Sequence, residues 1–108
     1  MAELFTLADA EKDRVQKGRA YFEFLRKTAL SAGIYVLAAG AEDLQSPHAE
    51  DEIYYVLEGR AHFKSGSQDH AVEKGDLLYV PAHEPHRFHD IEEDLRLLVF
   101  FAPAESSP

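Results

Sequence analysis

A chain of 108 residues with 20 Asp and Glu against 11 Lys and Arg, a formal charge of −9, no cysteine and 45% apolar residues has room for one domain with one core, and none for a second catalytic domain. That composition excludes disorder outside the termini, a disulfide framework and any thiolate ligand. The acidic surplus is concentrated in residues 40–108, fifteen against five; with no Lys/Arg cluster to offset it, this field excludes a nucleic-acid partner and disfavours an anionic membrane surface.

No apolar run approaches eighteen residues and no basic-then-apolar leader follows Met1. Neither a membrane span nor a signal peptide is therefore predicted, and the expected location is the cytoplasm. Thr6 and Asp9 form an S/T-x-x-D/E start signal ahead of good helix formers at 10–15, which allows a short helix within a leading segment of residues 1–19. From residue 20 the character changes. Residues 21–25 and 33–38 are aromatic or β-branched and bounded by turn formers, and read as strands. The same reading applies to 53–57, 61–63, 70–72, 77–80, 87–90 and 95–101, with turn signals at Gly59, at 65–68 and at Gly75. Short strands every eight to twelve residues predict an all-β sandwich or barrel over residues 20–102. No repeat, low-complexity tract or linker divides the chain, so residues 1–108 read as a single domain, with 103–108 as a frayed tail.

Period-two alternation assigns faces. With Glu52 pointing inward, Tyr54 and Val56 follow it, while Ile53, Tyr55 and Leu57 point outward. The run 95–101 is also apolar on both faces, so the outer surface of the barrel needs a cover, either the N-terminal strands or a second subunit; a homodimer is the expectation.

Residues 40–59 and 75–90 carry the chemistry. Gly40, Ser46, His48, Glu52 and Gly59 fall on the marked positions of G(X)5HXH(X)3-4E(X)6G, and Gly75, Pro81 and His86 on those of G(X)5PXG(X)2H(X)3N. His83 stands where that second pattern has glycine, and Asp90 where it has asparagine. In these two linked motifs the chain resembles the cupin family. The resemblance implies a small double-stranded β-helix, the cupin or jelly-roll barrel, with a short N-terminal helix as an addition.

It also implies a metal site. In the cupin pattern two histidines and a glutamate of the first motif and one histidine of the second bind the ion; with Ser46 in the place of the first histidine, the implied ligands are His48, Glu52 and His86. Imidazole nitrogen and carboxylate oxygen suit Fe, Mn, Ni, Co or Zn, and two histidines with one carboxylate are the ligand types of the facial triad of non-haem Fe(II) oxygenases. Glu50 would share a face with His48 and Glu52 if the strand already ran regularly there, and could replace the lost ligand; a loop before the strand would deny it that role. Tyr54 offers a phenol that could donate to a substrate oxygen, and with Phe88 and Val56 it would serve equally well as pocket wall or as core. His83, in the turn between Pro81 and Pro85, could carry protons or support a ligand, or could be an exposed turn residue. If His86 points inward, Phe88 and Asp90 share its face, leaving His89 on the surface or at an interface. His62 and His70 receive no role. Gly59 and Gly75 permit corners where a side chain would clash. A nucleophile pair of Ser46 and His48, oriented by Asp43 or Asp51, lacks any elbow or oxyanion-hole signal, and Glu50 with Glu52 as an acid/base pair is the weaker use of Glu52.

The functional expectation is a metal-dependent enzyme of oxygenase or isomerase/cyclase type acting on a small chelating molecule in the barrel, with an anionic chelating group at the ion. The alternatives are a dimeric small-molecule or metal sensor without turnover, and a structural cupin with a relict pocket.

Overall fold

Thr6 does start a helix: its Oγ1 accepts the N–H of Asp9 at 3.1 Å, and Gly18 closes the last turn in the left-handed conformation with φ 63°. The computed structural model describes residues 1–106, and places α1 at Leu7–Lys17 followed by β1 (Tyr21–Arg26), β2 (Ser31–Leu37), β3 (Asp51–Ser65), β4 (Gln68–Glu73), β5 (Leu77–Val80) and β6 (His86–Ala102). The sheet runs β1-β2-β6-β3-β4, with β5 paired to β3, and every pairing is antiparallel. α1 is too short and too polar to cross a membrane, and no other helix occurs among the described residues.

Two strands are longer than the turn signals suggest. β3 continues through Gly59, because φ 99° there lets the chain follow β6 while the pairing slips between Val56 and His62. A Cβ at Gly59 would meet the Asp94 carbonyl, so glycine here serves a close approach between paired backbones. Gly75, by contrast, has open space around it and supplies only the positive φ, 95°, of a turn. β6 runs through the acidic residues Glu92, Glu93 and Asp94, which lie on the exposed side, with Arg60 pairing to Glu92 and Glu93. Asp90 adopts φ 47° and shifts the alternation by one residue. Asp90 is therefore exposed beside His89, and Ile91 takes the inward place expected for it.

The inward face follows the alternation read for β3: Glu52, Tyr54 and Val56 are buried, and Asp51, Ile53 and Tyr55 exposed. Tyr54, Val56, Phe63, Phe88, Leu95, Leu97, Val99 and Phe101 form the core. Outside, α1 packs against β1 and β2, and Phe5 packs on Phe24 with ring centroids 5.4 Å apart. Ala32 and Ile34, opposite Phe100 and Leu98, are fully buried beneath this cover. The cover stops there. Ile53, Tyr55, Leu77, Tyr79 and Phe100 stay exposed, Tyr79 at 62%.

Candidate metal centre and its pocket

Three elements deliver the central groups. Glu52 is the first inward residue of β3, paired with Val80 of β5 and Phe101 of β6. His86 opens β6, opposite Ser65. His48 comes from the irregular segment before β3, which is pinned to the turn before β6 where the His83 N–H donates to the His48 carbonyl at 2.7 Å; at the start of β3 the Ala82 N–H donates to Asp51 Oδ1 at 2.9 Å. His83 has φ 69°, a left-handed geometry that explains why the motif favours glycine there; its side chain is exposed, and its backbone carries the contact.

One ligand atom from each of His48, Glu52 and His86 lies within 4.8 Å of the others, close enough to hold a metal ion. His86 Nε2 stands 3.0 Å from Glu52 Oε1, and His48 Nε2 4.0 Å from the same oxygen. The other ring nitrogens face acceptors. His86 Nδ1 donates to the Glu84 carbonyl at 2.9 Å, so a neutral ring keeps its proton there and leaves Nε2 bare toward Glu52. His48 Nδ1 is 3.2 Å from Glu105 Oε2.

Glu52 is the anomaly of the core. It is 1% exposed, and neither carboxylate oxygen receives a hydrogen bond from the described residues; the 3.0 Å approach of His86 has the distance of an ion pair without hydrogen-bond alignment. A buried carboxylate without a counter-charge costs several kcal/mol even after relaxation. The two imidazoles respond. The Glu105 carboxylate, 3.2 Å from Nδ1, raises the His48 pKa against the opposing effect of burial, and Glu52 raises it further. Burial depresses His86, but Glu52, the Glu84 carbonyl and Asp43 outweigh it and leave the pKa raised. Protons thus partly supply the positive charge that this carboxylate lacks, and a divalent cation bound by the same atoms would displace them. The donor set fits such an ion: two imidazole nitrogens and an orphaned carboxylate.

Tyr54 joins this group. Its hydroxyl lies 3.2 Å from His86 Nε2 and donates to Gln45 Oε1 at 3.1 Å. Burial first, and the Glu52 charge second, hold its pKa well above the usual phenol value, so the phenol keeps its proton. Gln45 is oriented in turn by buried Asp43, which accepts the Gln45 amide at 2.8 Å, the Tyr35 hydroxyl at 2.8 Å and the Phe88 N–H at 2.9 Å. The amide oxygen left over also sits 3.3 Å from His48 Nε2. Tyr21, Tyr35, Leu37, Val99 and Phe101 wall a cavity of about 380 Å³ that opens onto His48, Glu52, Gln45 and Glu105.

The remaining sequence candidates lie elsewhere. Glu50 is buried, but its carboxylate accepts the Ser106 N–H at 3.2 Å and stays outside the trio. Ser46 is exposed. His89 pairs on the outside with Asp69 at 2.9 Å, and His62 packs beside it with ring centroids 5.5 Å apart. In the tail, Glu105 is tied to the barrel: Arg26 donates to its carbonyl at 2.7 Å, its N–H donates to Ser31 Oγ at 3.0 Å, and it is 6% exposed. Gln45 and Glu105 are the site residues that sequence reasoning missed. Gln45 adjoins a motif position and could have been suspected; Glu105 has no local signal.

The family model for the cupin domain matches residues 33–101, which include the whole of this centre except the tail. The chain belongs to the cupin family. An uncharacterised protein of Streptomyces coelicolor is 47% identical over 102 residues, covering 94% of this chain and 97% of its own. Among solved structures, an RmlC-like cupin of Methanocaldococcus jannaschii with a double-stranded β-helix fold superposes with a TM-score of 0.70 at 18% identity, covering 77% of this chain and 78% of its own. That likeness establishes the fold as the double-stranded β-helix. The DMSP lyase DddQ of Ruegeria pomeroyi is 26% identical with a TM-score of 0.66 over 70% of this chain, which spans only 39% of the lyase.

Proposed function

We infer that this cupin is a metal-dependent enzyme in which His48, Glu52 and His86 hold one divalent transition ion, Fe, Mn, Ni, Co or Zn, at the floor of the pocket. The observation that carries this reading is the Glu52 carboxylate, buried, without a hydrogen-bond donor, and facing two imidazole Nε2 atoms. An ion there would polarise a carbonyl or enol oxygen of a chelating molecule.

The chain's own residues define what that molecule resembles. The pocket wall is aromatic and aliphatic, and its acidic members are Glu42, Glu52 and Glu105; among the described residues no Lys or Arg lines it. A small ligand with an apolar or flat body, and an anionic oxygen only where it meets the ion, suits such a wall. Tyr54 keeps its proton, donates it to Gln45 Oε1 and stands 3.2 Å from His86 Nε2, so it orients the groups around the trio from behind the pocket wall. His83 contributes through the backbone N–H that holds the His48 segment in place. The reaction belongs to the oxygenase or isomerase/cyclase types, and the likeness to a lyase adds elimination to the reactions to assay.

The exposed strip of Ile53, Tyr55, Leu77, Tyr79 and Phe100 favours a homodimer, since these side chains form neighbouring rows on three paired strands that α1 leaves uncovered. The deciding experiment is elemental analysis of protein purified without chelator or affinity-tag metal, beside a His48→Ala/His86→Ala variant. Near one ion per chain, lost in the variant, is expected. No ion above the variant, even after reconstitution, would sink the enzyme reading and leave a binding or structural cupin.

A further inference from the structure

We propose that Glu105, beyond the family-matched residues 33–101, is a positioning residue that fixes the ring of His48 so that its Nε2 lone pair faces Glu52 and His86. The proposal rests on the metal-site reading above and assigns a new part of the chain to it.

The two histidines are supported differently. His86 sits on a strand, and the neighbouring Glu84 carbonyl holds its Nδ1–H. His48 has no strand to fix it; its ring lies edge-on against Phe101 with centroids 4.8 Å apart, a contact that does not distinguish one ring nitrogen from the other. Nδ1 lies 3.2 Å from the Glu105 carboxylate, at ion-pair distance, and Nε2 faces the Gln45 amide oxygen at 3.3 Å. The carboxylate is the stronger acceptor of the two, so it favours the ring proton on Nδ1 and leaves Nε2 free toward the centre. A carboxylate behind a ligating imidazole fixes ring and tautomer and increases its basicity, which strengthens metal binding.

The strap carrying Glu105 is built to hold that carboxylate still. Its N–H donates to Ser31 Oγ, its carbonyl accepts from Arg26, and the next N–H, of Ser106, donates to Glu50 Oε2. Ser31 is fully buried, and Glu50 is buried as well. Backbone contacts anchor the segment, and the Glu105 side chain is left for His48. This also gives buried Glu50 a use away from the ion. With Ser46 exposed in place of the motif's first histidine, the centre has three protein donors, and each needs its own support.

The test separates this proposal from the metal reading. Metal-free protein with ¹⁵N-labelled histidine rings, at a pH above the His48 titration, should show His48 as a single tautomer protonated at Nδ1. Glu105→Gln should keep that tautomer, because an amide oxygen still accepts; Glu105→Ala should lose it while retaining the wild-type unfolding midpoint to within a few degrees. Zn(II) affinity, measured by chelator competition, should fall about 10–100-fold in Glu105→Ala and less in Glu105→Gln. An unchanged His48 tautomer in Glu105→Ala, or a Zn(II) affinity within about twofold of wild type, overturns the proposal. A wild-type protein that binds no Zn(II) defeats the metal reading instead, and the tautomer measurement still decides what Glu105 does to His48.

Discussion

Replacing Glu52 with glutamine should stabilise the metal-free protein and abolish its response to metal. The carboxylate is 1% exposed, and neither oxygen has a hydrogen-bond donor among the described residues. Glutamine matches its size, carries no charge, and brings an amide N–H that can donate to the bare His86 Nε2, which stands 3.0 Å from the oxygen replaced. At a pH high enough to leave both imidazoles neutral, the wild-type carboxylate has no nearby counter-charge. Relief of an unsatisfied buried group should then stabilise the variant by about 1–3 kcal/mol. For a domain of this size each kcal/mol moves the thermal midpoint by about 4–8 °C.

Metal reverses the order. Zn(II) at about 100 times its dissociation constant adds about 2.7 kcal/mol to a protein that binds it only when folded. Wild type should gain that, and Glu52→Gln should gain almost none. Thermal or urea unfolding of both proteins, with EDTA and with Zn(II), gives four midpoints: wild type lowest in EDTA and raised by Zn(II), and the variant higher in EDTA and insensitive to the ion. A Glu52→Gln protein less stable than EDTA-treated wild type would refute the reasoning, because it would mean that the carboxylate is compensated in the metal-free fold.

Three further outcomes are expected. Because His48 and His86 both have folded pKa values raised above the ordinary 6.5, their contribution to metal-free stability is fully present below about pH 6.5 and is lost as pH rises through the folded values; urea unfolding in EDTA from pH 6 to 9 should show the decline, and a His48→Gln/His86→Gln variant should flatten it. Gly59→Ala should cost about 2–4 kcal/mol in urea unfolding, since the new Cβ meets the Asp94 carbonyl at φ 99°; a loss under about 1 kcal/mol would show that β3 and β6 can part there freely. Light scattering after size exclusion should give twice the chain mass for wild type, and Tyr79→Glu, on the uncovered strip, should give the single-chain mass; a monomeric wild type would leave that strip without the partner assigned to it.

How far the sequence could be read follows from where each group sits. Glu52, Tyr54 and Val56 were legible because a strand alternates its side chains, so one inward residue fixes the next two. The same rule failed beyond Phe88, where Asp90 takes a left-handed geometry and shifts the phase; nothing in the residue types distinguishes a bulged Asp90 from a regular one. The strand ends were misread for a related reason: Gly59 signals a corner, and its use here, close passage of one paired backbone by another, leaves the same glycine in the sequence. His48 was legible through motif spacing, but its neighbours in space were not. Gln45 reaches the centre from an irregular segment with no period, and Glu105 reaches it through Arg26 and Ser31, 79 and 74 residues away. The donors that could face an ion are therefore readable, whereas the groups that orient those donors lie on loops and on the tail. Both histidines and the glutamate fall on positions of the two family motifs, so what distinguishes this chain's centre should reside in Gln45, Asp43 and Glu105, which hold the charge and proton positions around the trio.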